Sequence, residues 1–182
     1  MSRLIGLVGR RGVGKDTAAD YLVARHGFRK QAFARPIKEA CALLFQVDPK
    51  VFEDRASKET PLRYGLSPRQ MAQLVGTDFF RNQVSPTFWL DYFQGWYEAH
   101  RNEAVVVTDV RFQNEVDLIK QLGGEVWRIV RDPGSPLTEA DSHISETGID
   151  SLEHIDCDVP NEGTVEALHQ ALESVLQKKN VP

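Results

Sequence analysis

The stretch Gly9-Arg10-Arg11-Gly12-Val13-Gly14-Lys15-Asp16-Thr17 constrains this chain more than any other feature. A compact apolar run, Leu4 to Val8, leads into it. From about Lys15 to Arg25 the apolar residues Ala18, Tyr21 and Leu22 then recur at helical spacing. Strand, glycine-rich turn and helix in that order are the setting that the GxxxxGK pattern requires. The glycines let backbone N–H groups turn toward one point, and the helix start adds the positive end of its dipole. Lys15 adds a full charge. A loop of this kind cradles the β- and γ-phosphates of ATP, through Gly9, Arg11, Gly12, Val13, Gly14, Lys15, Asp16 and Thr17. The plain alternative, a glycine-rich turn that binds nothing, fits the combination of pattern and context poorly.

The position after the lysine usually carries Ser or Thr, whose hydroxyl holds Mg²⁺. Here it is Asp16, followed by Thr17. A carboxylate also holds Mg²⁺, directly or through water. Alternatively, Asp16 does no more than favour the helix N-terminus. On either reading Thr17 becomes the phosphate hydrogen-bond donor.

Elsewhere, apolar segments of strand length alternate with helical patterns. Phe28 to Phe33 reads as a second strand. Pro36 is suited to open a helix, and Ile37, Ala40, Cys41, Leu44 and Phe45 follow the spacing of a buried stripe. Gln46 to Leu66 is charged and aperiodic, and is expected to be a mobile excursion. Ser67-Pro68-Arg69-Gln70 predicts a capped helix start, and Ser85-Pro86 another, with Trp89, Phe93 and Trp96 on one face. Ala104 to Thr108 is a continuously apolar strand ending at Asp109, as in a sheet buried on both faces. A helix follows through Val116, Ile119 and Leu122 to Gly123-Gly124. Strands are then expected at 125–130 and, shorter, at 156–160. A final helix over 164–177 carries Val165, Leu168, Leu172, Val175 and Leu176 inward. The fold class is therefore α/β, a parallel sheet of about five strands flanked by helices, with ligands at the carboxyl ends of the strands.

The 182 residues suffice for one domain and are tight for two. The expected organisation is a single domain over 1–182, with 46–103 as a substrate-binding helical excursion and 132–155 as a short lid-like segment. No apolar run approaches the roughly 18 residues that a membrane helix needs, and the N-terminus leaves no room for a signal peptide. Two cysteines make no disulfide framework. A cytoplasmic location is expected, and no membrane partner. The net charge of −4 gives long nucleic acids no general reason to bind, whereas a small phosphorylated ligand needs only a locally basic pocket.

A further set of residues, in collinear order, carries a family likeness. It comprises Gly14-Lys15-Asp16-Thr17 with Ala19-Asp20, Pro36-Ile37-Lys38, Gly76-Thr77-Asp78, Phe88-Trp89 and Asp109-Val110-Arg111 with Glu115. It continues with Val130-Arg131, His143-Ile144 and Asn161-Glu162-Gly163. In these pieces the chain resembles the deoxynucleoside monophosphate kinases of tailed bacteriophages, and the unusual Asp16 matches that family. The resemblance implies a P-loop kinase fold and transfer of the γ-phosphoryl group of ATP, with Mg²⁺, to a (deoxy)nucleoside monophosphate. It brings a homodimer into consideration, and the host cytoplasm as location if the gene is phage-borne. The excursion before Ser67 is short for that family.

By the same resemblance, Arg111 and Glu115 bind the acceptor nucleotide; the alternative is an ion pair at a helix start, since the two stand at i, i+4. Lys38 and Arg69 resemble acceptor contacts, with Ile37, Gly76 and Thr77 beside the substrate, or are solvated charges and a helix stop. Trp89 stacks on a base or fills the core. Asn161 lies near the ATP base or serves a turn. His143 reads as a loop or capping residue. Asp109, at a strand end, is placed to hold Mg²⁺ through water. The segment 132–142 carries no Lys or Arg, so charge on the transferring group falls to Lys15, Arg11, Arg111 and Arg131. Two other readings compete: a dephospho-coenzyme A kinase or other small-metabolite kinase, and a nucleotide-dependent switch that transfers nothing.

Overall fold

The computed structural model describes residues 3–54, 56–131 and 148–179. They fall into two compact units, one formed by Met1–Ala32 with Ala99–Pro182 and one by Phe33–Glu98. The second unit thus opens before residue 46, where the substrate-binding excursion was expected to begin.

The first unit is built on a parallel sheet of strands β1 (Leu4–Val8), β2 (Arg29–Gln31), β3 (Val105–Val107), β4 (Glu125–Val130) and β5 (Cys157–Pro160). Their spatial order is β2-β3-β1-β4-β5. β1 is fully buried because both its faces are covered. Ile5 and Leu7 pack with Ala18 and Leu22 of helix α1 (Lys15–His26) and with Leu168 and Leu172 of the C-terminal helix α6 (Val165–Lys179). Burying a leucine of this kind stabilises by about 1.5–3 kcal/mol. Gly6 faces the other way. A Cβ there would meet Ile119 Cδ1 at 2.5 Å, so its bare Cα lets helix α5 (Gln113–Gln121) lie close on the sheet. β1 is also the switch point of the topology. The chain crosses from it to β2 on one side and later returns to β4 on the other, which opens a crevice at the carboxyl ends of β1 and β3.

The second unit holds α2 (Arg35–Phe45), α3 (Pro68–Gln73) and most of α4 (Phe88–Ala99). The expected stripe on α2 is narrower than its spacing suggests. Cys41 and Ala42 are buried and Ile37 and Phe45 half-buried, whereas Leu44 is 66% exposed. The aperiodic stretch before Ser67 is ordered into three 3₁₀ turns, Pro49–Phe52, Ser57–Glu59 and Arg63–Gly65. Turns of three or four residues present no 3.6-residue stripe, although Phe52 is buried. Ser67 caps α3 with the capping box read from the sequence. Gly76-Thr77 does not stop a helix: both lie inside Leu74–Val84, which continues α3 with π winding. Among the described residues no helix is long and apolar enough to cross a membrane.

Candidate active site

The loop between β1 and α1 takes its shape from three glycines with positive φ, Gly9 at 149°, Gly12 at 81° and Gly14 at 101°. At Gly9 a Cβ would also lie 2.7 Å from the Ile129 carbonyl oxygen, so only glycine lets the loop leave the sheet there. Gly14 caps α1 but has no side chain with which to do so. The first intrahelical bond runs from Ala18 N to the Gly14 carbonyl at 2.9 Å. The amides of Lys15, Asp16 and Thr17 therefore lie ahead of the helical ladder, at the positive end of the dipole. Lys15 arches over the loop, its Nζ donating to the Gly9 carbonyl at 2.5 Å and to the Arg10 carbonyl at 2.9 Å. The amides at the start of α1, with an ammonium held over the loop, make an anion site suited to a polyphosphate.

Residues distant in sequence fix this loop. Asn161, at the end of β5, is buried and donates its Nδ2 to the Val13 carbonyl at 2.7 Å. Its own backbone N–H bonds the Val130 carbonyl at 2.7 Å. Besides the two roles considered for Asn161, the structure shows a third: its side chain ties the phosphate loop to the end of β5. Arg10 pairs with Asp150, a residue that no motif singles out. Arg11 is exposed at the crest of the loop, and Arg131 is exposed just beyond β4.

The carboxylate of Asp16 is 81% exposed and pairs with Lys30 Nζ at 3.0 Å, while Lys30 also bonds Asp20 at 2.9 Å. Burial opposes the Lys30 charge, but its hydrogen bonds to Asp20 and Asp16 outweigh it and hold the ammonium above its ordinary pKa. Asp109 lies two residues past β3. The register Gly6↔Val107 carries it level with Val8, where the phosphate loop departs. Two carboxylates beside a phosphate site fit the way Mg²⁺ is held, by one or two carboxylates together with phosphate oxygens and water. Among the described residues no cluster of three metal-binding side chains forms a dedicated cage, which the same ion does not need.

Glu115 is 3% exposed. Its Oε2 accepts from the backbone N–H of Arg111 at 2.8 Å and of Phe112 at 3.2 Å. It caps α5 by reaching back, and so fixes the backbone on which Arg111 stands. This is a positioning role that the i, i+4 spacing alone does not reveal.

A family model described as deoxynucleotide monophosphate kinase matches residues 47–172. The chain belongs to this family. It is 38% identical over 187 residues to a putative deoxynucleotide monophosphate kinase of Acanthamoeba polyphaga mimivirus, covering 95% of each chain. It is 24% identical to the deoxynucleotide monophosphate kinase of Escherichia phage RB69, covering 96% of this chain and 99% of that one. The fold is shared with a dephospho-CoA kinase from Campylobacter jejuni at a TM-score of 0.53, over 97% of each chain at 16% identity.

The family resemblance also pointed to residues of the second unit. Lys38 is ion-paired with Glu53 at 2.8 Å, and Arg69 with Glu59 at 2.7 Å. Gly76 packs against Ile37: a Cβ on the glycine would meet Ile37 Cδ1 at 2.8 Å. Trp89 is buried against Phe80 and Phe88, and its Nε1 donates to the Gly76 carbonyl at 2.8 Å. Trp89 thus packs in the core of the second unit. His143, Ile144 and residues 132–147 of the expected lid-like segment over 132–155 lie outside the described residues.

Proposed function

We propose that this deoxynucleotide monophosphate kinase family member transfers the γ-phosphoryl group of ATP to a deoxynucleoside monophosphate, yielding the diphosphate and ADP. The observation that carries the reading is the glycine-shaped loop with Lys15 held over it at the start of α1, in a chain of this family.

In the reaction, the amides of the loop bind the β- and γ-phosphates of ATP, and Lys15 exchanges its loop carbonyls for phosphate oxygens. Thr17 donates its hydroxyl to the phosphates. Asp16 and Asp109 would hold Mg²⁺, which when bound neutralises phosphate charge and orients the chain of phosphates. Arg111, on the backbone that Glu115 fixes, binds the acceptor phosphate by a two-pronged guanidinium contact. Lys38 and Arg69, released from Glu53 and Glu59, bind the acceptor nucleotide. Arg11 and Arg131 compensate charge on the transferring group. Phosphoryl transfer of this type rests on positioning and electrostatics and needs little base catalysis.

A coupled assay supplies ATP with deoxynucleoside monophosphates, ribonucleoside monophosphates and dephospho-coenzyme A in turn. Transfer to the deoxynucleotides is expected, reduced on the order of 10²–10³-fold in Lys15→Ala with an unchanged circular dichroism spectrum. Transfer to dephospho-coenzyme A alone, or to none of the acceptors, would overturn the reading. So would a Lys15→Ala variant that keeps more than about a tenth of the wild-type rate.

A further inference from the structure

The buried polar or charged side chains among the described residues are Gln31, Ser67, Glu115 and Asn161. Ser67 caps α3, Glu115 caps α5 and Asn161 supports the phosphate loop. Gln31 has no such complete account. It is the last residue of β2 and is 6% exposed. Its Oε1 accepts from the N–H of Ala32 at 3.2 Å. That contact fixes which way the amide faces, because a backbone N–H needs the oxygen, and the NH₂ group is turned away from it. The NH₂ makes no hydrogen bond among the described residues. Nor is it sealed in, since no fully enclosed side-chain nitrogen or oxygen lacks a partner. Gln31 therefore holds a donor that is not fully enclosed at the carboxyl end of β2.

The register identifies what lies nearby. Gln31 is paired with Val107, and its carbonyl accepts from Thr108 N at 3.1 Å, immediately before Asp109. The preceding residue, Lys30, reaches Asp16 and Asp20 of α1 and so lies on the α1 face. Successive strand residues alternate, which puts Gln31 on the opposite face. Gly6, paired with the same Val107, meets Val110 and Ile119 on that face. Arg111 and Glu115 open α5 there too. The Gln31 donor and the Arg111 backbone thus share one face and one edge of the sheet.

We propose that Gln31 is an acceptor-binding residue whose amide NH₂ donates to a phosphate oxygen of the incoming deoxynucleoside monophosphate. A donor-only group suits an oxyanion, which accepts and never donates. The assignment rests on the kinase reading above, and it adds a residue that is neither basic nor part of the phosphate loop.

The test is Gln31→Met, which keeps the length of the side chain and removes its donors. Calorimetric titration with deoxynucleoside monophosphates in the absence of ATP should show affinity falling about tenfold, the loss expected of one such hydrogen bond. The loss should be the same for every base and ATP affinity should be unchanged, while the melting temperature falls only slightly, because the Ala32 N–H loses its acceptor. Gln31→Asn and Gln31→His, which keep a donor, should recover part of the affinity and serve if the methionine variant is unstable. Equal loss for ATP and acceptor, no loss at all, or a loss that depends on the base would each overturn the phosphate contact. A wild-type protein that binds no nucleoside monophosphate would instead sink the kinase reading itself.

Discussion

Asn161 and Val13 are hydrogen-bonded to each other across 148 residues, the amide of one donating to the carbonyl of the other at 2.7 Å. The fit leaves no slack: a Cβ on Gly14 would stand 2.5 Å from the Asn161 nitrogen. The loop after β5 is thereby a structural part of the phosphate site. Asn161→Leu would strand the Val13 carbonyl, and the expected destabilisation is about 1–3 kcal/mol in urea unfolding. The KM for ATP should rise with it. Gly14→Ala should act in the same direction, since it adds both the clash and an unfavourable φ of 101°. The two changes disturb one contact, so the double variant should lose less than the sum of the singles. Strict additivity would dissociate Asn161 from the loop.

Much of this arrangement is legible in the amino-acid order because it is local. GxxxxGK between an apolar strand and an amphipathic helix announces the phosphate loop, and Ser67-Pro68-Arg69-Gln70 announces its helix start. The strand order β2-β3-β1-β4-β5 is what hides the rest. It sets Lys30 beside Asp16, Asp150 beside Arg10 and Asn161 beneath Val13. No periodicity or short motif encodes such pairs. Glu115 was visible as a residue of interest, yet its work on the Arg111 backbone is a matter of burial that spacing does not reveal. The π winding through Gly76 was equally hidden, since a glycine within a helical pattern reads as a stop.

Arg111 and Glu115 offer a prediction that separates contact from support. Arg111→Ala should weaken the monophosphate far more than ATP, measured by separate titrations. Glu115→Ala should follow the same direction but also lower stability, by about 1–3 kcal/mol, because two backbone amides lose their acceptor. Glu115→Gln keeps an oxygen at the cap and should restore most of the acceptor affinity. If Glu115→Gln behaves like Glu115→Ala, the charge itself contacts the nucleotide and the capping role is insufficient.

The acid limit of stability should involve the junction of α1 and α6. Tyr21 donates to Glu173 at 2.7 Å, and His26 Nε2 lies 2.7 Å from the same oxygen. The Tyr21 hydrogen bond, then that of His26, holds the Glu173 carboxyl below its ordinary pKa. A carboxylate with a depressed folded-state pKa adds stability above its unfolded value, and that stability disappears as pH falls through the folded one. The contribution should therefore be complete above pH ~4.3 and fade below it. Thermal melts of wild type and Glu173→Gln should differ at pH 6 and converge toward pH 3. A difference that grows on acidification would contradict this sign.

The last prediction concerns the two arginines of the phosphate loop, which their adjacency makes look equivalent. The structure separates them. Arg10 pairs with Asp150, in the segment that returns toward β5, and Arg11 is exposed at the next position of the loop. A residue anchored in an ion pair shapes the loop in the ground state. On the kinase reading, the Arg11 guanidinium one position on is the group proposed to meet charge as it develops on the transferring group. Arg11→Ala should then lower kcat by about 10–100-fold and leave the KM for ATP within about twofold, the pattern of a contact made mainly in the transition state. Arg10→Ala should do the reverse, raising the KM for ATP with a smaller effect on kcat, and Asp150→Asn should reproduce it. Steady-state kinetics of the three variants, with melting temperatures as a control, decides the matter. If Arg11→Ala changes only the KM for ATP, Arg11 is an ordinary ground-state contact. The charge compensation then falls to Lys15, Arg111 and Arg131.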